Sequence, residues 1–162
     1  MKIPGSLMIL AMLFLSASVS AEYCTFDDSG RPTSCTYNAV GGLEGSQYIV
    51  SYTQQGWALT IALYFEEFVM VEGDATFKVR GHDLQTLEYV TTARDIAAGD
   101  LVVEAAVYKV SEEQLLQLAN ASGKVKFTVP TLDDEDQVIK VQSVQFKEMP
   151  EYIAETKDAP GS

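Results

Sequence analysis

His82 is the only histidine in the chain. In a Ser-His-Asp arrangement it would act as a base, but no nucleophile-elbow pattern accompanies it. A zinc site needs two or more His or Cys ligands. In the run Gly81-His82-Asp83 it therefore reads as an exposed turn residue. Asp133, Asp134 and Asp136 sit in a four-acid run with Glu135. They carry the hard oxygen ligands that calcium takes, and they are the candidate cation site. The run lacks the Asp-x-Asp-x-Asp-Gly spacing of an EF-hand loop. Consecutive acids in a hairpin loop are ordinarily just solvated, so no cofactor is expected.

Paired carboxylates could cleave a glycosidic bond. Glu66, Glu67, Glu72, Asp74 and Glu104 are the candidates, but with 23 acids in the chain some pair will fall close by chance. Glu104 differs from the others because it lies inside an apolar stretch, where a carboxylate would need a partner. Alternation places it instead on the outward side of its strand, as an ordinary surface acid. No catalytic residue is assigned. The chain has eight tyrosines and one tryptophan. Tyr48, Tyr52, Tyr64 and Tyr108 fall on expected strands. Core packing accounts for such rings; sharing an outward face, these four would form a protein- or glycan-binding surface.

The first 21 residues have the layout of a secretory signal: Lys2, the apolar run LMILAMLFL, then Val19-Ser20-Ala21 before the cut. The apolar run is too short to span a membrane. The sequence reading is an exported protein, periplasmic or extracellular and of bacterial type, with no stable membrane insertion after cleavage. In an oxidising compartment Cys24 and Cys35, the only cysteines, should pair. The loop between them, with Asp28, Gly30 and Pro32, has turn chemistry. The spacing is not Cys-x-x-Cys, so a redox role is not expected. The net charge is −12 before cleavage, and loss of Lys2 makes it one unit more negative. Such a surface repels nucleic acid. It suits a basic partner, a cation or simple solubility, and a solvated acidic surface is the plainest of these readings.

Positioning these residues falls to a mainly β fold, either a β-sandwich or a bent antiparallel sheet, with one packed helix. Residues 22–149 read as one β-rich domain and 150–162 as a flexible tail. The helix is expected at about 111–122: Ser111 and Gln114 form a capping box, and Val110 and Leu115 a hydrophobic staple. Leu115 and Leu118 share its apolar face. Tyr37–Gly45 reads as a glycine-rich loop. Gln47–Thr53 and Trp57–Phe65 alternate as a hairpin. A second hairpin is expected from Phe68–Val71 and Ala75–Arg80. Leu87–Thr92 reads as a short strand, and Ala93–Asp100 as a loop or one helical turn. Leu101–Val110 is a strong strand with Leu101, Val103, Ala105 and Val107 on one face. Lys124–Val129 alternates cleanly. The last strand, Gln137–Lys147, changes phase, which predicts a β-bulge near Gln142 and Ser143.

A disulfide-linked start, strands, the run EEQLLQLANASGKVKFTVP and a closing strand together resemble small exported bacterial β-sandwich proteins, such as the invasion-associated locus B family. The pattern covers the second half of the chain. The C-terminal cysteine pair expected there is missing. The resemblance implies a sandwich fold and carries no activity. The function expected from sequence is a non-enzymatic binding or accessory module acting through a protein surface, inhibitor- or immunity-like. The alternatives are a carboxylate-dependent hydrolase of envelope polysaccharide, and a sandwich holding a small ligand between sheet and helix.

Overall fold

A computed structural model describes residues 23–28, 32–41, 47–97, 100–133 and 135–158. The expected signal segment, 1–21, lies outside them. Nine strands form one antiparallel sheet: β1 (Tyr23–Phe26), β2 (Pro32–Gly41), β3 (Gln47–Thr53), β4 (Gly56–Phe65), β5 (Ala75–Lys78), β6 (Gln85–Ile96), β7 (Val102–Lys109), β8 (Lys124–Val129) and β9 (Gln137–Gln142). Their order is β1-β2-β3-β4-β7-β6-β5-β8-β9. Helix α1 (Glu112–Asn120) follows β7. A 3-10 helix (Ser143–Phe146) and helix α2 (Met149–Asp158) close the described chain. The fold is thus mainly β with a packed helix, as the alternation implies.

β6 is the element on which the sheet bends. Gln85–Leu87 pair with β5, while Glu88–Ile96 pair with β7. One strand thus belongs to two wings, with a register shift between Tyr89 and Thr91. The wings face each other across one core that joins Tyr48, Val50, Leu59 and Tyr108 to Phe77, Val125, Phe127 and Val141. Between Tyr48, Leu59 and Ile61 on one side and Phe127, Ile139 and Val141 on the other, the free space is only about 10 Å³. That is room for one water at most. The gap offers no space for a ligand.

The disulfide joins Cys24 to Cys35, which face each other in the β1–β2 ladder. β3 and β4 form the expected hairpin, with Thr53 opposite Gly56. Gly56 has φ +106°, a backbone angle that a side chain would resist. The capping box on α1 is complete: Gln114 N–H donates to Ser111 Oγ, and Ser111 N–H donates to Gln114 Oε1. The helix ends at Asn120, slightly before the expected 122. Leu115 and Leu118 are its buried residues.

Several expectations are corrected. β2 runs on to Gly41, so Tyr37–Gly41 is strand, because β3 supplies its ladder partners. Phe68–Val71 is not a hairpin strand; only an isolated bridge, Val71 to Thr131, forms there. Ala93–Ile96 extends β6, because β7 supplies hydrogen-bond partners that local propensity cannot reveal. No bulge forms at Gln142–Ser143. The ladder with β8 ends at Gln142 and the chain winds into the 3-10 helix, which absorbs the phase change and buries Phe146. Residues 149–158 are helix α2 rather than a loose tail. Pro150 stands in the first turn, where its missing N–H breaks no bond. Met149, Tyr152, Ile153 and Thr156 share the inward face at helical spacing, and Tyr152 stacks on Tyr37 at 4.4 Å.

Candidate binding site: a strap held on a buried carboxylate

Between β4 and β5 the chain crosses the core face of the first wing as a strap, Glu66–Asp74. Its anchor is Glu104. In the ladder Glu104 stands opposite Leu63 on one side and Arg94 on the other. Its parity, with Ala106 and Tyr108, is the one that faces the main core. Glu104 is 0 % exposed, so the outward assignment from sequence is corrected. Both faces of β7 are apolar, and alternation alone does not say which is inside.

A buried carboxylate must find hydrogen bonds. Glu104 takes them from strap backbone. Val69 and Met70 N–H donate to Oε1, each at 2.9 Å, and Val71 N–H donates to Oε2 at 2.6 Å. Arg94 Nε lies 3.4 Å from Oε2. Three successive N–H groups around one anion form a nest, here filled by the protein's own side chain. The nest requires Met70 in the left-handed region, φ +59°, which is uncommon for a residue with a side chain. Val71 C=O accepts from Thr92 Oγ1 at 2.7 Å. Met70 C=O accepts from Leu132 N–H at 3.2 Å, tying the strap to the β8–β9 loop.

The strap is held from below by its backbone and by Val71, whose side chain is buried in the core, while Phe68 and Met70 point outward. Phe68 is 49 % exposed, and Met70 is exposed beside it. Leu132, bonded to Met70, is 59 % exposed. Ile96 is exposed on the Arg94 side of β6, next to the β6–β7 turn. Large apolar side chains therefore meet solvent at one end of the fold. Acids flank them: Glu66 and Glu67 precede Phe68, Asp95 precedes Ile96, and Asp133 follows Leu132; all four are exposed. A rigid apolar patch with an acidic rim is suited to a basic partner.

The residues singled out from sequence are distributed differently. Tyr48 and Tyr108 are in the core. Tyr48 stacks on Phe146, and its hydroxyl donates to Gln145 Oε1. Tyr52 packs on Trp57 on the same side. Tyr64 lies on the opposite side of β4, with Ala62 and Val103. The four do not form one binding surface. Burial raises the phenol pKa of both Tyr48 and Tyr108 above the ordinary value. The Tyr108 hydroxyl is buried with no hydrogen-bond partner among the described residues. An unpaired buried hydroxyl is costly. Tyr108→Phe is therefore expected to leave stability unchanged or raise it by about 1 kcal/mol, as read from the urea midpoint. A loss of that size would show that the hydroxyl is paired.

Asp133 and Asp136 are exposed, and Asp134 lies outside the described residues. Among the described residues, no group of three or more His, Cys, Asp or Glu side chains comes together to hold a metal ion. His82 is exposed in a turn, its N–H donating to Val79 C=O. Among the carboxylates, Glu104 has both oxygens occupied and out of reach of a substrate. Asp74 accepts from Tyr89 N–H at 2.8 Å. Glu66, Glu67 and Glu72 are exposed.

A second concavity lies on the opposite face of the first wing. This open trough of about 320 Å³ includes Thr36, Ser51, Ala58, Thr60 and Val107 in its lining. Lys109 at its margin is paired with Glu88 at 2.6 Å. The trough gathers no titratable groups that could do chemistry together. Among the described residues no helix is long and apolar enough to cross a membrane.

The strap site could not be read from residue types, because its donors are backbone N–H groups. The one signal was Glu104 itself, an acid within an apolar strand. No protein-family model, curated protein or solved structure matches the chain, so no residue role is carried over from a relative.

Proposed function

We propose that the chain is an exported, non-enzymatic binding module whose strap end grips a basic protein partner. The observation that carries this reading is the strap itself. A buried carboxylate and a left-handed Met70 fix the backbone beneath side chains that meet solvent. Strained, over-determined backbone clusters where function needs a fixed geometry. Phe68, Met70 and Leu132 supply the apolar anchors, and the acids around them steer a basic surface into place.

The test uses mature oxidised protein, residues 22–162, as bait for envelope extract at low and at moderate salt. One stoichiometric basic protein is expected, held more weakly as salt rises. Phe68→Ser with Met70→Ser should weaken that partner by about thirtyfold, the size of a lost hot spot, with circular dichroism unchanged. A partner retained equally by the variant would place the interface elsewhere. Binding indifferent to salt would remove the electrostatic part.

A further inference from the structure

The second wing carries a feature that the strap site does not use. On the outer face of β5, β8 and β9 three lysines stand side by side in register. Lys78 is opposite Lys126, and Lys126 is opposite Lys140. Lys124, two residues along β8, continues the face beside Gln142. Neighbouring strands are about 4.8 Å apart, so the three stems are rooted across about 10 Å. All four side chains are exposed. Among the described residues none of the four is in an ion pair.

This placement is unusual for the chain. Acids outnumber Lys and Arg 23 to 11. Yet the outward residues of β5, β8 and β9 are Thr76, Lys78, Lys124, Lys126, Thr128, Val138, Lys140 and Gln142, with no acid among them. Like charges directly opposite in a sheet destabilise it. A lysine on an edge strand discourages edge-to-edge pairing, which accounts for Lys140. It does not account for Lys126 or Lys78, which lie on interior strands. Solubility would be served as well by acids.

We propose that this lysine ladder is an anion site for a compact ligand bearing several phosphates, such as an oligophosphate or a phosphorylated sugar. Three features select that class. The three facing side chains are ammonium point charges, which bind phosphate oxygens without needing a fixed fork geometry. The groups converge from three strands onto one short line, so the ligand must be multivalent. The rest of the molecule is strongly negative, so an extended polyanion or an anionic membrane would be repelled. A compact anion feels only the ladder within a screening length of about 8–10 Å.

The test is calorimetric titration of the mature oxidised protein with sodium tripolyphosphate at low ionic strength. One site is expected, at least about tenfold tighter than for inorganic phosphate. The Lys78→Gln, Lys126→Gln, Lys140→Gln triple variant should lose about tenfold or more, with amide shifts in Lys124–Val129 and Gln137–Gln142 disappearing. Lys109→Gln, in the first wing, should bind like the parent. Relief of like-charge contact should hold or raise the melting temperature of the triple variant. If it fails to fold, Lys126→Gln alone carries the same comparison. No binding of tripolyphosphate, or binding that survives the lysine substitutions, overturns the proposal. So does binding only to phosphatidylcholine vesicles containing phosphatidylglycerol, which would make the face a membrane contact.

Discussion

Glu104→Ala is expected to be among the most damaging single substitutions in this protein, lowering unfolding free energy by about 3–5 kcal/mol. The loss has two sources. Alanine strips the acceptors from three adjacent N–H groups, those of Val69, Met70 and Val71. Unpaired donors in a buried setting each carry a desolvation penalty of about 1–3 kcal/mol. It also removes the anion that supports Met70 in its left-handed conformation. Glu104→Gln keeps the shape but presents an NH2 group to one set of donors, so it should fall between alanine and the parent. Arg94→Ala should cost far less. Its side chain is 29 % exposed and its contact with Glu104 is long, at 3.4 Å; partly solvated pairs contribute about 0–1 kcal/mol. Urea unfolding of the three variants orders them. Equal losses for Arg94→Ala and Glu104→Ala would mean that the ion pair, rather than the backbone nest, holds the strap. Partner binding should fall with Glu104→Ala even where the variant remains folded, because Phe68 and Met70 lose their fixed support.

Removing residues 148–162 is expected to cost on the order of 5 kcal/mol, a large share of the 5–15 kcal/mol that holds a typical domain. Met149 and Ile153 are buried, at 0 % and 4 % exposure. Burying such a side chain contributes about 1.5–3 kcal/mol. Tyr152 leaves its stack on Tyr37, whose ring then meets water beside Trp57. The salt bridge from Lys157 to Glu112, 2.7 Å long, also goes, but on so exposed a pair it adds little. The truncated chain should bind hydrophobic dye and show a broadened thermal transition. Ile153→Ala is the milder form, at about 2–4 kcal/mol. Glu151→Ala, on the exposed side of the same helix, should stay within about 0.5 kcal/mol. A tail that merely hung from the domain would leave all three near zero. The comparison therefore tests whether α2 is a structural part of the fold.

Local chemistry was legible wherever cause and effect lie close in sequence. Ser111, Gln114 and the leucines after them specify α1, cap included, because every group involved is within two turns. The alternation of β3, β4 and β8 specifies strands, and Gly56 their first hairpin. Cys24 and Cys35 specify the disulfide, because no other cysteine competes. Met149, Tyr152, Ile153 and Thr156 are also at helical spacing, but Pro150, Pro160 and Gly161 in the same stretch point to a loosely held tail when the sequence is taken alone. A first-turn proline is compatible with a helix that has a core to pack against.

What only the tertiary structure decided is which surface is inside and what lies over it. β7 is apolar on both faces, so its period of two yields two sides without naming the buried one; β4 and the strap made that choice, and with it sent Glu104 inward. Tyr48 and Tyr108 followed the same logic into the core, leaving no tyrosine surface. The donors to Glu104 come from 33 to 35 residues away. They are backbone groups, identical in every residue but proline. The lysines of β5, β8 and β9 likewise stand far apart in sequence until strand pairing sets them in one row. Sequence periodicity reports each element's two faces. Only the pairing and bending of the sheet, fixed by burial summed over the whole chain, turns those faces into a core, a strap and a charged ladder.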